Sequence, residues 1–284
     1  MISMILATLG RYNVVDRFLL SMAKQTTKDF EVIIVDQNEG YFLEPLIEKY
    51  KKKFSIKHVK TNIKGLSKAR NIGLKYIEGE IVCFPDDDCY YERDTVENVL
   101  QIFKEECLDG IISQVKSEDD KPLLPYKMHK DERLTTENIW NCAISFSIFL
   151  SREVIVNVGE FDEIIGVGAN TIFGSGEETD YLYRALYNNA IVRFKEGVIV
   201  HHPKRPEVIE RKDIERAFYY GCGCGYVLMK NNATIKIKLR FMIRPLIGAF
   251  IALLVFKDKL AMLRWNTFYG RIKGMFLYKQ NRFF

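Results

Sequence analysis

The run Ile-Val-Cys-Phe-Pro-Asp-Asp-Asp-Cys-Tyr-Tyr at residues 81–91 decides the fold. It opens as a short β-forming apolar strand and ends abruptly in three consecutive carboxylates, Asp86, Asp87 and Asp88. A strand fed from a buried sheet holds these mutually repelling charges close together, so a positive partner is expected. Mg2+ or Mn2+ is the economical one, because hard divalent ions take carboxylate oxygens and leave positions open for phosphate. The plain alternative is an acidic loop that caps the following helix.

Outward from that run, strands and helices alternate. Residues 1–9 form an apolar strand that breaks at Gly10, and the spacing of Val15, Phe18, Leu19 and Met22 predicts a helix over 14–24. Residues 30–35 are a second strand ending at Asp36, a helix follows through Lys53, and 56–59 is a third, weaker strand. Ser67 reads as the N-cap of a helix to about residue 77. A helix over 94–106 follows the aspartates. Near-continuous apolar strands alternating with helices indicate a Rossmann-like open, mostly parallel α/β sheet, whose ligands bind at the carboxyl ends of the strands. Thr8, Asp36 and Asp86 to Asp88 then share one rim.

Further along, the pattern gives a strand at 110–115, an irregular lid-like excursion over 116–138, a strand at 144–150 and a helix from Arg152. A glycine-rich loop leads to a helix over 177–188. Two short strands at 191–194 and 198–200 follow, the second running into His201 and His202.

At 284 residues, 48% hydrophobic and 28% charged, the chain can bury a substantial core, which excludes long disorder. Its net charge of +5 is uneven: from residue 217 onward there are twelve Lys/Arg against the single acid Asp258, a surplus of +11 that leaves the first 216 residues at −6. Six cysteines without a Cys-x-x-Cys pair, and no amino-terminal signal peptide, fit a reducing cytoplasm. Cys222 and Cys224, set among Gly221, Gly223 and Gly225, are either a metal or redox pair or part of a close helix contact. Residues 245–256 are the most apolar stretch, about twelve residues against the roughly 20 that span a bilayer. With Lys236, Lys238, Arg240, Arg244, Lys257 and Lys259 around it, this stretch is either an interfacial membrane helix or a buried helix of a helical appendage. Two domains are expected, 1–216 and 217–284.

The ordered set of Ala7-Thr8, Asp36, Gly65-Leu66-Ser67-Lys68-Ala69-Arg70-Asn71, Asp86-Asp87-Asp88, Gly159-Glu160-Phe161-Asp162-Glu163, Gly176-Glu177-Glu178-Thr179-Asp180 with Arg184, and His201-His202 resembles family 2 glycosyltransferases of the GT-A fold, bacterial surface-polysaccharide type, over roughly residues 2–225. The resemblance implies a UDP- or dTDP-linked sugar donor lying across the strand ends by Thr8, with Asp36 accepting from the base; Asp36 is otherwise a turn former. It sets Lys68 and Arg70 at the diphosphate and Asn71 near the ribose or the metal cluster. Asp86 and Asp88 match the Asp-x-Asp signature: Asp88 binds Mn2+ or Mg2+ directly and Asp86 faces the ribose or a metal-bound water, while Asp87 can exchange with either. The general base belongs to a Glu-Asp pair opening a helix. Here the pair is Glu177-Glu178, so Glu178 is favoured and Asp180 stays open, while any of the three can be present for the helix dipole alone. One of His201 and His202 is expected as an additional metal ligand, since strand alternation lets only one face the site.

The function implied is inverting, metal-dependent transfer of a sugar to a glycan acceptor. The basic, apolar tail suggests that the acceptor is lipid-linked and met by a peripherally bound enzyme at the cytoplasmic membrane face, with an anionic membrane rather than nucleic acid as partner. A nucleotidyltransferase would need a richer glycine and Arg/Lys loop than Gly10-Arg11, and a nucleotide-sugar or membrane-surface binding protein with decayed catalysis is the non-enzymatic alternative.

Overall fold

The computed structural model describes residues 1–123, 128–204 and 208–280. The chain divides into two compact units, one of Met1–Lys64, Lys68–Phe161 and Tyr181–Lys204, the other of Gly65–Ser67, Asp162–Asp180 and Arg205–Phe284.

The strands are β1 (Ile2–Thr8), β2 (Phe30–Asp36), β3 (Ser55–Lys60), β4 (Ile81–Cys83), β5 (Tyr90–Tyr91), β6 (Gly110–Lys116), β7 (Ile148–Ser151) and β8 (Val192–His201). They form one eight-stranded sheet of order β3-β2-β1-β4-β7-β6-β8-β5 in the first unit. The helices among them are α1 (Tyr12–Ala23), α2 (Glu44–Tyr50), α3 (Leu66–Leu74), α4 (Thr95–Glu105), α5 (Arg152–Val158) and α6 (Glu177–Tyr187). Every residue of β2 is buried, as a central strand covered on both faces requires. α1 turns Val15, Phe18, Leu19 and Met22 into the core at the i, i+3, i+4, i+7 spacing of one helix face.

β3, β2, β1 and β4 are parallel, as expected, but β7 pairs antiparallel with both β4 and β6, and β5 antiparallel with β8, so the sheet is mixed. Ile148, Phe149 and Leu150 of β7 are all buried. A strand buried on both faces has the same apolar pattern whichever way it runs, so its direction is invisible to periodicity. The two short strands expected near 191–200 are one strand. Its pairing with β6 jumps from Ser113↔Lys195 to Gln114↔Ile199, and the extra residues around the exposed Gly197 imitate a break. Ser67 is not the expected N-cap: α3 starts at Leu66, and Ser67 donates its hydroxyl to the Ile165 carbonyl (2.6 Å). In the 116–138 excursion, isolated bridges join Lys116 to Pro122 and Arg133 to Arg193, while residues 124–127 lie outside the described residues.

The second unit holds α7 (Arg211–Lys230), α8 (Ile235–Leu254) and α9 (Asp258–Gln280). α7 and α9 approach so closely that a Cβ on Gly225 would strike the Arg271 backbone, and one on Gly274 the Cys222 carbonyl. The glycines of the Cys222–Cys224 region are therefore a helix contact, and both cysteines are free thiols. Among the described residues no helix is long and apolar enough to cross a membrane. Arg282, counted in the basic tail, lies outside the described residues.

Candidate active site

The parallel register sets Thr8 opposite Asp36 at the carboxyl ends of β1 and β2. Asp36 is buried at 1% exposure, and its carboxylate accepts from the Asn38 backbone (2.9 Å), from Asn38 Nδ2 (2.7 Å) and, through its second oxygen, lies 2.9 Å from His58 Nε2. Burial works against that charge, but the hydrogen bonds outweigh it and hold Asp36 below the usual carboxylate range. Thr8 donates its hydroxyl to Asp87 Oδ2 (2.8 Å), which ties the end of β1 to the aspartate run next door.

The three aspartates have separate surroundings. Asp86 accepts from Ser145 Oγ (3.0 Å) and lies 3.4 Å from Arg70 Nη2. Asp87 is buried and pairs with Arg11 (3.0 Å) as well as Thr8. Asp88 pairs with Arg11 (2.6 Å) and with His202 Nε2 (3.1 Å). The electrostatics follow. Burial, reinforced by its two acidic neighbours, pushes Asp87 up to about 6 despite Thr8 and Arg11. Burial acts on Asp88 too, but His202 and Arg11 override it and hold that carboxyl far below its ordinary value. The resulting set of Asp86, Asp88 and His202 brings one ligand atom from each within 4.8 Å of the others. Two hard carboxylate oxygens and an imidazole nitrogen at that spacing suit Mn2+ or Mg2+.

His201 and His202 are separated by strand alternation. His201 faces the other way, stacked on Tyr90 (centroids 4.7 Å apart), 3.0 Å from Glu92 and 3.2 Å from the Ser117 carbonyl, in a group with Glu92 and Asp120. Of the motif residues in α3, Arg70 is fully buried with its guanidinium over the rings of Phe161 (5.4 Å) and Phe84 (5.8 Å), and Lys68 is half-buried. Asn71 exchanges hydrogen bonds with the Phe161 backbone, donating to its carbonyl (3.0 Å) and accepting from its N–H (2.8 Å). That amide pins a loop.

In the second unit, the acids opening α6 also differ from one another. Glu177 is buried, with Oε2 3.3 Å from where a Cβ on Gly166 would sit. Gly166 has φ +111°, so a side chain there would be strained as well as crowded. Glu178 is half-buried, and Cys224, whose thiol is pushed up chiefly by burial, also feels the Glu178 charge. Asp180 is 0% exposed and locked: it accepts from Lys230 (3.0 Å) and Asn231 Nδ2 (3.0 Å), and Lys230 is shared with Asp162 (2.7 Å).

The sequence reading missed Arg11, Ser145, His58 and the Lys230–Asn231 pair. Arg11 was legible in principle, because it follows a strand that turns out to neighbour β4. The others depend on pairings that no local pattern announces.

Residues 3–156 match the family described as Glycosyl transferase family 2. The chain belongs to that family. The matched segment carries Thr8, Asp36, the α3 motif and the aspartates but ends before Glu177 and His202. The chain is similar to the poly(ribitol-phosphate) beta-N-acetylglucosaminyltransferase TarS of Staphylococcus aureus strain Mu50, 31% identical over 133 residues, 45% of this chain and 23% of that protein. It thus spans well under half the length of the curated relative it matches. In solved structures, this family-2 chain resembles S. aureus TarS 1-349 in complex with UDP-GlcNAc, at 20% identity, TM-score 0.60, over 98% of this chain and 89% of that one. It also resembles a mannosyltransferase of Pyrobaculum calidifontis in complex with GDP-Man and Mn2+, at 13% identity, TM-score 0.61, over 96% and 86%. At such identities the likeness establishes the fold: a GT-A-like mixed sheet with flanking helices and a carboxyl-terminal helical extension.

Proposed function

We propose that this family-2 enzyme is an inverting, metal-dependent glycosyltransferase that moves a hexose-type residue from a UDP- or dTDP-linked donor to a hydroxyl of a glycan acceptor. The observation that carries the reading is the convergence of Asp86, Asp88 and His202 at the strand ends. These residues fit a divalent cation, Mn2+ or Mg2+, which when bound supplies Lewis-acid help to the departing diphosphate. Asp36 and Thr8 form the base end of the donor site, and Lys68 and Arg70 the cationic side. Asn71 and Asp87 are positioning residues, one holding the Phe161 loop and the other tying β1 to the aspartate run.

Glu178 is the base that takes the acceptor proton as the hydroxyl attacks. Of the acids opening α6, Asp180 is occupied by Lys230 and Asn231 and Glu177 is buried, which leaves Glu178 as the one partly open to solvent. The similar TarS, a poly(ribitol-phosphate) beta-N-acetylglucosaminyltransferase with a structure in complex with UDP-GlcNAc, supports a UDP-linked amino sugar as donor and a polymer as acceptor class. The acceptor is lipid-linked and is met at the cytoplasmic membrane face, with residues 1–216 as catalytic domain and 217–284 as the membrane-associating extension. The test is UDP release from UDP-sugars, measured with Mn2+ and after chelation. Release that persists in chelator and in Asp88→Ala sinks the metal-assisted mechanism, and absence of any release with donors that raise the melting temperature points to a binding protein.

A further inference from the structure

α8 is two-faced. One side buries Pro245, Ala249 and Ala252. The other exposes Ile235, Leu239, Ile243, Ile247, Ile251 and Leu254, a stripe at the spacing of a single helix face. Lys236, Arg240 and Arg244 are exposed and follow the first three of these residues by one position each, so a basic row runs beside the apolar one. α8 contains no Asp or Glu.

The corner after α8 adds an independent sign. Phe256 is 91% exposed with φ 55°, and its N–H bonds the Leu253 carbonyl (3.1 Å) while Lys257 N–H bonds that of Ala252 (2.9 Å). That is the helix-ending motif whose left-handed position normally belongs to glycine. A phenylalanine there strains the backbone and leaves a large apolar side chain in water, which is costly in the isolated protein and points to use elsewhere.

We propose that the exposed α8 face and the Leu254 to Phe256 corner form an insertion surface for an anionic phospholipid bilayer. The apolar stripe and Phe256 enter the acyl boundary, and Lys236, Arg240 and Arg244 meet the headgroup phosphates. A second copy of the chain fits less well. Two-fold pairing on this face would bring two basic rows into one interface with no acid of α8 to neutralise them. A nucleic acid would leave the apolar stripe without a partner. The inference extends the membrane partner of the proposed function and does not depend on the donor chemistry.

The experiment is co-sedimentation of the full chain with phosphatidylcholine vesicles with and without phosphatidylglycerol, at low and high salt. Pelleting is expected with the anionic vesicles, reduced but not abolished by salt because the apolar contact survives screening. Phe256→Gly suits the backbone, so it should raise the melting temperature and yet weaken vesicle binding about tenfold, the scale of one apolar side chain kept out of lipid. Replacing Lys236, Arg240 and Arg244 by Glu should erase the preference for anionic vesicles. Unchanged pelleting of both variants overturns the proposal, as does equal binding to neutral vesicles. Self-association of the free chain that Phe256→Gly abolishes, without pelleting, makes a second copy the occupant, and pelleting that salt removes completely reduces the surface to a polyanion patch. A melting-temperature rise with UDP-sugars, retained in Phe256→Gly, tests the catalytic reading separately.

Discussion

The aspartates 86–88 and the acids opening α6 look alike in sequence, each a knot of carboxylates after an element boundary, yet the structure treats them differently. In the first run all three acids are engaged by cationic or hydroxyl groups from other elements, and two of them share a metal-like geometry with His202. In the second, Asp180 is consumed by α7, Glu177 is buried beside Gly166, and only Glu178 combines partial exposure with a place in the first turn. Local charge density therefore says little about role; burial and partner identity decide which carboxylate can react and which one braces the fold.

Substitutions that set one acid against its neighbour can break that contrast. The largest effect is expected at Glu178→Gln: loss of a general base should lower kcat by about 10²–10⁴ at unchanged melting temperature, and a variant with full transfer rate would remove Glu178 from the mechanism. Asp88→Ala should cost about 10²–10³ in kcat, as loss of charge stabilisation at a leaving group does. Added Mn2+ should rescue it poorly, and this is read by titrating metal against rate. His202→Ala should weaken activation by Mn2+ about tenfold to a hundredfold, while His201→Ala leaves the metal titration in place; equal effects would mean that the separation of the two histidines has no functional content. Asp180→Ala should act on stability, costing about 1–3 kcal/mol because Lys230 and Asn231 lose a buried partner, with the rate per folded molecule preserved. A calorimetric scan beside a rate measurement separates the two outcomes.

The smallest effect is expected at Asp36→Asn, about 1 kcal/mol of stability at neutral pH. Because the folded-state pKa of Asp36 is depressed, its contribution is present above the unfolded value of about 3.9 and is lost as pH falls through the folded value. Wild type and variant should therefore draw together in denaturant midpoint as pH falls below about 4, and coincide only below the depressed folded value. A gap that persists there would mean the carboxylate charge is not what stabilises.

Much of the fold was legible because amphipathic and buried periodicities are local. The spacing of Val15, Phe18, Leu19 and Met22 and the apolar runs before Asp36 and Asp86 announce helix and strands without tertiary context, and carboxylates at strand ends read as a ligand rim. Ser67 was misread because a serine ahead of a helical pattern looks like a cap, whereas its hydroxyl is used by a loop almost a hundred residues away. The antiparallel direction of β7 and the unity of β8 left no periodic trace.

The sequence by itself determined the elements, the rim of acids and the family pattern, all of which rest on interactions within a few residues or on ordered motifs. Only the tertiary structure decided that His202 joins Asp88 while His201 turns to Glu92, that Arg11 bridges two aspartates, that Asp180 is tied to Lys230, and that Phe256 stands strained and exposed at a basic, apolar corner. The reason is physical: a side chain's role is set by the charges, donors and solvent around it, and these come from segments that meet only when the chain folds.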